Sequence, residues 1–316
     1  MANHTVVQTD VKQSDAVSTR QASELLGVHE SSIKRWCNAG DLAFWLTPGG
    51  HRRIPVMSLV DFADREGLRL PLAQFGRYAA TVWAGTGALH RAGDYSMLRE
   101  QVIDWLSRGE VRYLINLFGY LKEEGLAYGV LFDQLIGWAM HRVGVDYLHS
   151  RISIGDEHLM TQAMRDTLIA LSTSIILNDE DGDQPVALVG CARGEVHELG
   201  ALMVRVLLQE AGWRVLYLGL NVPTEEFAHQ QTKTGAQLVC ISMMPPMSIP
   251  EAKSIVGLLD RMYDSRQPFK LALGGGALGE ASTLAMSDLK ITEVRLFNQI
   301  APFGEWIGRE TDSQQS

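Results

Sequence analysis

The sequence predicts a multidomain protein of α and α/β class, in which a small helical domain with a wing and a helical bundle precede a doubly wound parallel sheet. Three observations carry this expectation. Between residues 186 and 297, strand-length apolar runs alternate with helical segments, the order that builds a parallel sheet. Between residues 74 and 177, apolar residues recur at helical spacing with no convincing strand among them. Ahead of both, two short amphipathic segments joined by a glycine are followed by a glycine-rich turn between strand-like pieces. A chain of 316 residues has room for two or three such domains.

Composition narrows the class. Hydrophobic residues make up 46% and charged residues 21%, as in an ordinary globular protein. No apolar run reaches membrane-spanning length and Met1–Asp15 is polar, so the expected compartment is the cytoplasm, with no membrane partner. Cys37, Cys191 and Cys240 are too scattered for a disulfide framework or a zinc site and read as small buried apolar residues. The net charge of −9 speaks against nucleic-acid binding over the whole surface. Residues 16–70 escape that bias, with seven Lys/Arg against six acids, whereas residues 71–316 hold 20 against 29. No nucleophile, base or metal-hydrolase spacing points to catalysis, so the expectation is a protein that is not an enzyme.

After a polar tail over residues 1–15, order is expected to begin at Ser18. Ser18 to Gln21 has capping-box spacing, and Ala22, Leu25 and Leu26 form one face of a two-turn helix that Gly27 ends. A second helix from His29 to Asn38 turns Ile33 and Trp36 inward and leaves Ser31, Ser32, Lys34 and Arg35 outward, with Ala39-Gly40 as its stop. This is the pattern of a helix-turn-helix reader; a helical hairpin with a solvated face has the same pattern. Leu42–Leu46 and Arg52–Ile54 then read as strands around Thr47-Pro48-Gly49-Gly50-His51, a wing tip flanked by Arg52 and Arg53.

In the bundle, helical faces recur over Tyr95–Leu106, Val111–Leu121, Val130–Tyr147 and Leu159–Leu177. The last two should form an antiparallel hairpin about Arg151–Gly155, bringing Tyr147 near Glu157 and His158. By itself, Glu157-His158 is also what an exposed first helical turn looks like. An acidic linker, 178–184, follows. Strands are expected at Val186–Gly190, Val215–Leu218, Leu238–Ser242, Leu271–Leu273 and Val294–Phe297, with helices at Glu198–Ala211, Pro223–Thr234 and Pro250–Tyr263 and a polar tail over 309–316. Glu195, His197 and Glu198 follow the first of these strands, where open α/β sheets hold ligands, and an imidazole beside a carboxylate suits a metal. A helix-capping or surface histidine fits the same stretch.

Resemblances add to this reading. LLGVHESSIKRW followed by TPGGHRRI resembles the winged helix-turn-helix domain of MerR-type transcriptional regulators over roughly residues 16–70. That resemblance implies that Ser31, Ser32, Lys34 and Arg35 face the major groove of an operator in double-stranded DNA, with Thr47, His51, Arg52 and Arg53 on backbone or minor groove. Four or so phosphate contacts per subunit give modest affinity, so a homodimer or homotetramer is expected. Glu195-x-His197-x-x-Gly200, Ser242-x-Met244 and Gly274-Gly275-Gly276 resemble the D-x-H-x-x-G, S-x-L and G-G pattern of methionine synthase and related corrinoid proteins. Glu195 stands for the usual aspartate and Met244 for the usual leucine. The resemblance implies a cobalamin with His197 below cobalt, Glu195 orienting His197, Ser242 on the displaced base, and Gly200, Met244, Gly274 and Gly275 around the nucleotide tail.

The order of a DNA-reading domain, a cap bundle and a cobalamin domain resembles the CarH/LitR light-sensing repressors over nearly the whole chain. It implies adenosylcobalamin, capped by Tyr147, Glu157 and His158, that holds an oligomer on its operator until light breaks the cobalt–carbon bond. The family's tryptophan is Tyr147 here, and the histidine after it is Leu148. Open alternatives are methylcobalamin as the ligand, a regulator without photochemistry or without cobalamin, and a corrinoid methyl-carrier protein.

Overall fold

The structure, a computed structural model, describes residues 15–175, 184–281 and 283–314. Residues 1–14 of the expected tail over 1–15, and all of the expected linker but Gln184, lie outside the described residues. Two compact units are present, Met1–Glu124 and Gly125–Ser316.

The first unit opens with β1 (Ala16–Ser18), α1 (Thr19–Leu26), α2 (Glu30–Ala39), β2 (Trp45–Leu46), β3 (Arg52–Pro55) and α3 (Val56–Glu66). The expected capping box is formed: Ser18 Oγ accepts the Gln21 N–H at 3.2 Å and Gln21 Oε1 accepts the Ser18 N–H at 2.9 Å. Gly27 and Gly40 end the two helices in left-handed conformations at φ +63° and +85°, which the absence of Cβ permits. Order begins two residues earlier than expected, because β1 pairs antiparallel with β3 on the side away from β2. The hairpin of the wing is shorter than expected, with only Trp45 and Leu46 facing Arg53 and Arg52. Buried Ile33, Cys37, Leu42, Ile54, Leu59 and Phe62 form the core beneath α2, and the Trp36 ring packs on Phe62 at 4.7 Å.

A 3-10 stretch (Pro71–Tyr78), α4 (Ala79–Ala92), α5 (Ser96–Ser107) and α6 (Val111–Glu123) complete this unit. Helix α4 is an addition to the expected helices. Its Ala, Gly and Thr content gives little apolar contrast between faces, yet Val82, Thr86 and Leu89 are buried. Phe75, Tyr78, Trp105, Tyr113 and Tyr120 interlock around it as edge-to-face and stacked rings, with centroids 5.1–6.3 Å apart.

The second unit begins with α7 (Tyr128–Leu131), a π-helical turn (Phe132–Gly137), α8 (Trp138–Leu148) and α9 (Ile154–Ser174). The single helix expected over 130–147 is thus interrupted by a π turn, which directs Asp133 to the backbone N–H groups of Ile300 and Ala301 at 2.9 and 2.8 Å. The helices expected as one bundle lie in both compact units. Next come β4 (Val186–Ala192), α10 (Leu199–Glu210), β5 (Arg214–Val222), α11 (Thr224–Thr234), β6 (Leu238–Ser242), α12 (Ile249–Arg261), β7 (Lys270–Gly274), β8 (Glu293–Phe297) and α13 (Ile300–Gln314).

The five strands form a parallel sheet in the order β5-β4-β6-β7-β8, the doubly wound fold expected from the alternating pattern. Helices α10 and α13 pack together, as do α11 and α12, so both faces are covered and the central strands read as continuous apolar runs. All three cysteines are buried as expected. Residues 309–314 of the expected polar tail are instead the last turns of α13. Tertiary contacts outweigh the weak helix preference of Gly308, since Glu310 pairs with Lys270 and Thr311 Oγ1 accepts the Trp213 indole N–H at 3.1 Å. Among the described residues no helix is long and apolar enough to cross a membrane.

Candidate functional site

The strand order reverses between β4 and β6. The crevice of such a sheet opens at the carboxyl ends of the two strands on either side of the reversal. The loop after β4 carries Glu195 and His197, and Met244 follows β6, so these residues meet at this switch point.

Glu195 joins the two loops. Its Oε1 lies 2.7 Å from both the backbone N–H and the Nδ1 of His197, and its Oε2 accepts the Met244 N–H at 2.5 Å. The Glu195 carboxylate is 2% exposed, whereas the His197 side chain is 66% exposed. A carboxylate at Nδ1 selects the tautomer with the proton there and leaves Nε2 as the basic nitrogen on the exposed ring. An imidazole held this way has the donor character a metal centre requires. Asn221, at φ +52°, accepts the Gly194 N–H on Oδ1 at 2.7 Å and donates its own N–H to the Glu195 carbonyl at 3.2 Å, bracing the loop from the end of β5.

The glycines and Ser242 crowd the same crevice. Ser242, at the end of β6, is 9% exposed, and a Cβ on Gly200 would stand 3.3 Å from its Oγ. Gly275 has φ +115°, and a Cβ there would lie 2.2 Å from the Met243 carbonyl oxygen, so no side chain fits. Gly274 passes close to the Phe297 carbonyl, and Met244 Sδ accepts the Gly276 N–H at 3.2 Å. One outward imidazole held by a buried carboxylate, beside glycines that let the loops approach closely, is a donor set that suits a metal-bearing ligand.

Tyr147, Glu157 and His158 lie at the far end of the α8–α9 hairpin. Asp146 fixes this end by accepting from Arg142 and Arg151, each at 2.7 Å, and the two guanidiniums hold its carboxyl below the usual range. Ser153 and Asp156 cap α9 reciprocally. Glu157 accepts from Thr161 at 2.9 Å, and His158 Nε2 lies 3.5 Å from its other oxygen. Tyr147 is 40% and Leu148 79% exposed, while His149 Nδ1 sits 2.8 Å from the Val145 carbonyl oxygen on its own helix. Helices α9 and α10 run the same way, for Arg165 meets Glu198 and Ser172 meets Gln209, both at 2.5 Å. Glu157 is eight residues before Arg165, so α9 overhangs the start of α10, and with it the carboxyl edge of the sheet, by about 12 Å.

In the first unit, Ser31, Lys34 and Arg35 are exposed and Ser32 is half-buried on α2. The His29 ring caps α2, accepting the Ser31 N–H on Nδ1 at 3.2 Å, and Lys34 pairs with Glu30 at 2.9 Å. Thr47 and His51 close the wing tip: Thr47 N–H donates to the His51 carbonyl at 2.9 Å, and Thr47 Oγ1 accepts the His51 N–H at 3.1 Å. The Arg52 guanidinium lies over the Phe44 ring at 5.1 Å and donates to Asn38 Oδ1 at 2.8 Å, tying wing to helix. The Nε atoms of Arg52 and Arg53 are buried without a partner.

Residues 185–291 match the family model of the B12 binding domain, and residues 16–67 match that of a helix-turn-helix domain. The chain carries a helix-turn-helix domain and a B12-binding domain. Among curated relatives, dimethylamine corrinoid protein 1 of Methanosarcina acetivorans is 24% identical over 159 residues, 50% of this chain and 70% of the relative. The dimethylamine corrinoid protein of Methanosarcina barkeri is 26% identical over the same shares. The solved monomethylamine corrinoid protein of Methanosarcina barkeri, 16% identical, superposes with a TM-score of 0.48, covering 66% of this chain and 96% of that one.

Three side-chain contacts at these sites have no signal in sequence spacing. Tyr217 on β5 donates its hydroxyl to Glu198 Oε2 at 2.9 Å, and burial followed by that carboxylate pushes its phenol up. Arg165 takes the other oxygen of Glu198. Asn38 anchors Arg52. The first two are joined to the site by the packing of α9 and β5, which sequence spacing does not reveal; Asn38 is the last residue of the expected second helix.

Proposed function

We propose that the chain is a DNA-binding transcriptional regulator, a repressor of the MerR type, whose operator binding is set by a bound cobalamin. The observation that carries this reading is the Glu195 bridge between His197 and Met244 at the switch point of a B12-binding domain, on the same chain as a winged helix-turn-helix. His197 would hold the cobalt through Nε2, with Glu195 fixing the ring. Ser242, Gly200, Met244, Gly274 and Gly275 would receive the nucleotide tail, and Tyr147, Glu157 and His158 would cap the cofactor. Serine and cation side chains of α2 enter the major groove, while the wing tip and Arg53 meet the backbone. Adenosylcobalamin would supply a light-sensitive cobalt–carbon bond, and the chain would respond by a change of oligomeric state that weakens its multivalent hold on DNA.

The test loads the full chain with adenosylcobalamin in the dark and records its absorption spectrum and size-exclusion profile before and after illumination. A bound corrin spectrum with a larger dark assembly supports the reading. An unchanged assembly after illumination rejects the light switch, and absence of a bound corrin rejects the ligand.

A second reading, a corrinoid carrier, is favoured by the similarity of half of this chain to dimethylamine corrinoid proteins. A carrier has no use for the winged helix. Duplex DNA binding by the full chain separates the two.

A further inference from the structure

Glu198 is the residue after His197, and both of its carboxylate oxygens are committed. Oε1 receives Arg165 Nε from α9 at 2.5 Å, and Oε2 receives the Tyr217 hydroxyl from β5 at 2.9 Å. Its side chain is 15% exposed and that of Arg165 36%, so the pair is partly sheltered from water. Glu198 also stands at the start of α10, where a negative charge is favoured by the helix dipole. Arg165 lies seven residues beyond His158, two turns along the same face of α9. One ion pair therefore joins the helix that carries Glu157 and His158 to the loop that presents His197. A second side-chain bond from α9 to the sheet domain, Ser172 to Gln209, lies near the opposite end of both helices.

We propose that Arg165 is a positioning residue for the His197 loop: through Glu198, braced by Tyr217, it locks residues 193–198 to helix α9. This rests on the assignment of His197 as the cobalt ligand only for its consequence, not for the lock itself. A shift of α9 at its overhanging end is passed to His197 through this contact, and a loop without it samples orientations in which Nε2 turns away from the ligand. The Glu195 bridge fixes the ring within the loop, whereas the Arg165 lock fixes the loop on the cap.

The test uses the full chain with Arg165→Gln, Arg165→Lys and Tyr217→Phe. In the protein without corrinoid, hydrogen exchange is read at the amides of residues 194–198 and at Met244. Arg165→Gln should raise loop exchange by about tenfold, the scale of one hydrogen bond between charged groups, with the amides of β4 and β6 unchanged. Arg165→Lys, which keeps the charge, should restore more than half of the protection, and Tyr217→Phe should show a smaller rise. In protein loaded with cob(II)alamin, the share of cobalt coupled to an axial imidazole nitrogen, read by electron paramagnetic resonance, should fall several-fold in Arg165→Gln. Loop exchange equal to the parent's overturns the proposal, as does a rise shared by the core strands, which marks a general loss of structure. If His197→Ala retains the axial nitrogen signal, the ligand assignment fails while the exchange result still decides the lock.

Discussion

Glu195 Oε2 accepts the Met244 N–H at 2.5 Å across the switch point of the sheet. The other oxygen of the same buried carboxylate holds His197, so one side chain sets both the spacing of two loops and the tautomer of the ring. Replacing Glu195 by Gln removes the charge that favours the Nδ1 proton. Cobalamin affinity should fall about 10- to 100-fold, as for other outer partners of ligating histidines, by equilibrium titration followed at the corrin absorption bands.

Gly275→Ala tests the close approach of the loops. Its Cβ would lie 2.2 Å from the Met243 carbonyl oxygen in a backbone conformation that disfavours L residues. Destabilisation of about 3 kcal/mol is expected in chemical denaturation of the sheet domain, from strain and overpacking together.

Asp133→Ala probes the π turn. Its carboxylate caps α13 through the amides of Ile300 and Ala301. Loss of the cap should cost about 1–2 kcal/mol, and Asp133→Asn should cost less, because the amide oxygen still accepts.

Alkaline pH should weaken the sheet domain through Cys240. Burial pushes this thiol up. A raised folded pKa means that the contribution is complete below the unfolded value, about 8.5, and is lost as pH rises above it. In denaturant titrations between pH 8.5 and 11, Cys240→Ala should make the decline shallower by about 1.4 kcal/mol per pH unit, despite its lower stability at pH 7.

On the DNA side, Arg53→Ala should lower affinity for duplex DNA of any sequence and reduce the slope of log K against log salt by about 0.9. Asn38→Ala should weaken binding with the slope kept, since Asn38 holds Arg52 in place and carries no charge. Fluorescence anisotropy from low to moderate salt reads both.

Much of this architecture is legible in the chain because the signals are local. Ser18 and Gln21 announce their cap three residues apart, and the strands of a sheet covered on both faces are plain apolar runs. Glu195, His197 and Ser242 sit at fixed points on those strands' carboxyl ends. The π turn at 132–137 is invisible to a period of 3.6, because Asp133 is placed by its bonds to α13, 167 residues away. Arg165 reads as one more cation on a helix until packing sets it beside Glu198. Helix α4 shows little apolar contrast because Ala, Gly and Thr fill both its buried and its partly exposed positions, and the end of α13 is held by Lys270 and Trp213 against its own polar composition.

The most direct test of the account measures duplex DNA affinity of the full chain in the dark, without corrinoid and saturated with adenosylcobalamin, beside His197→Ala treated identically. The loaded parent should bind more tightly than the unloaded one, with no gain for the variant. Equal affinity of the loaded and unloaded parent would contradict this.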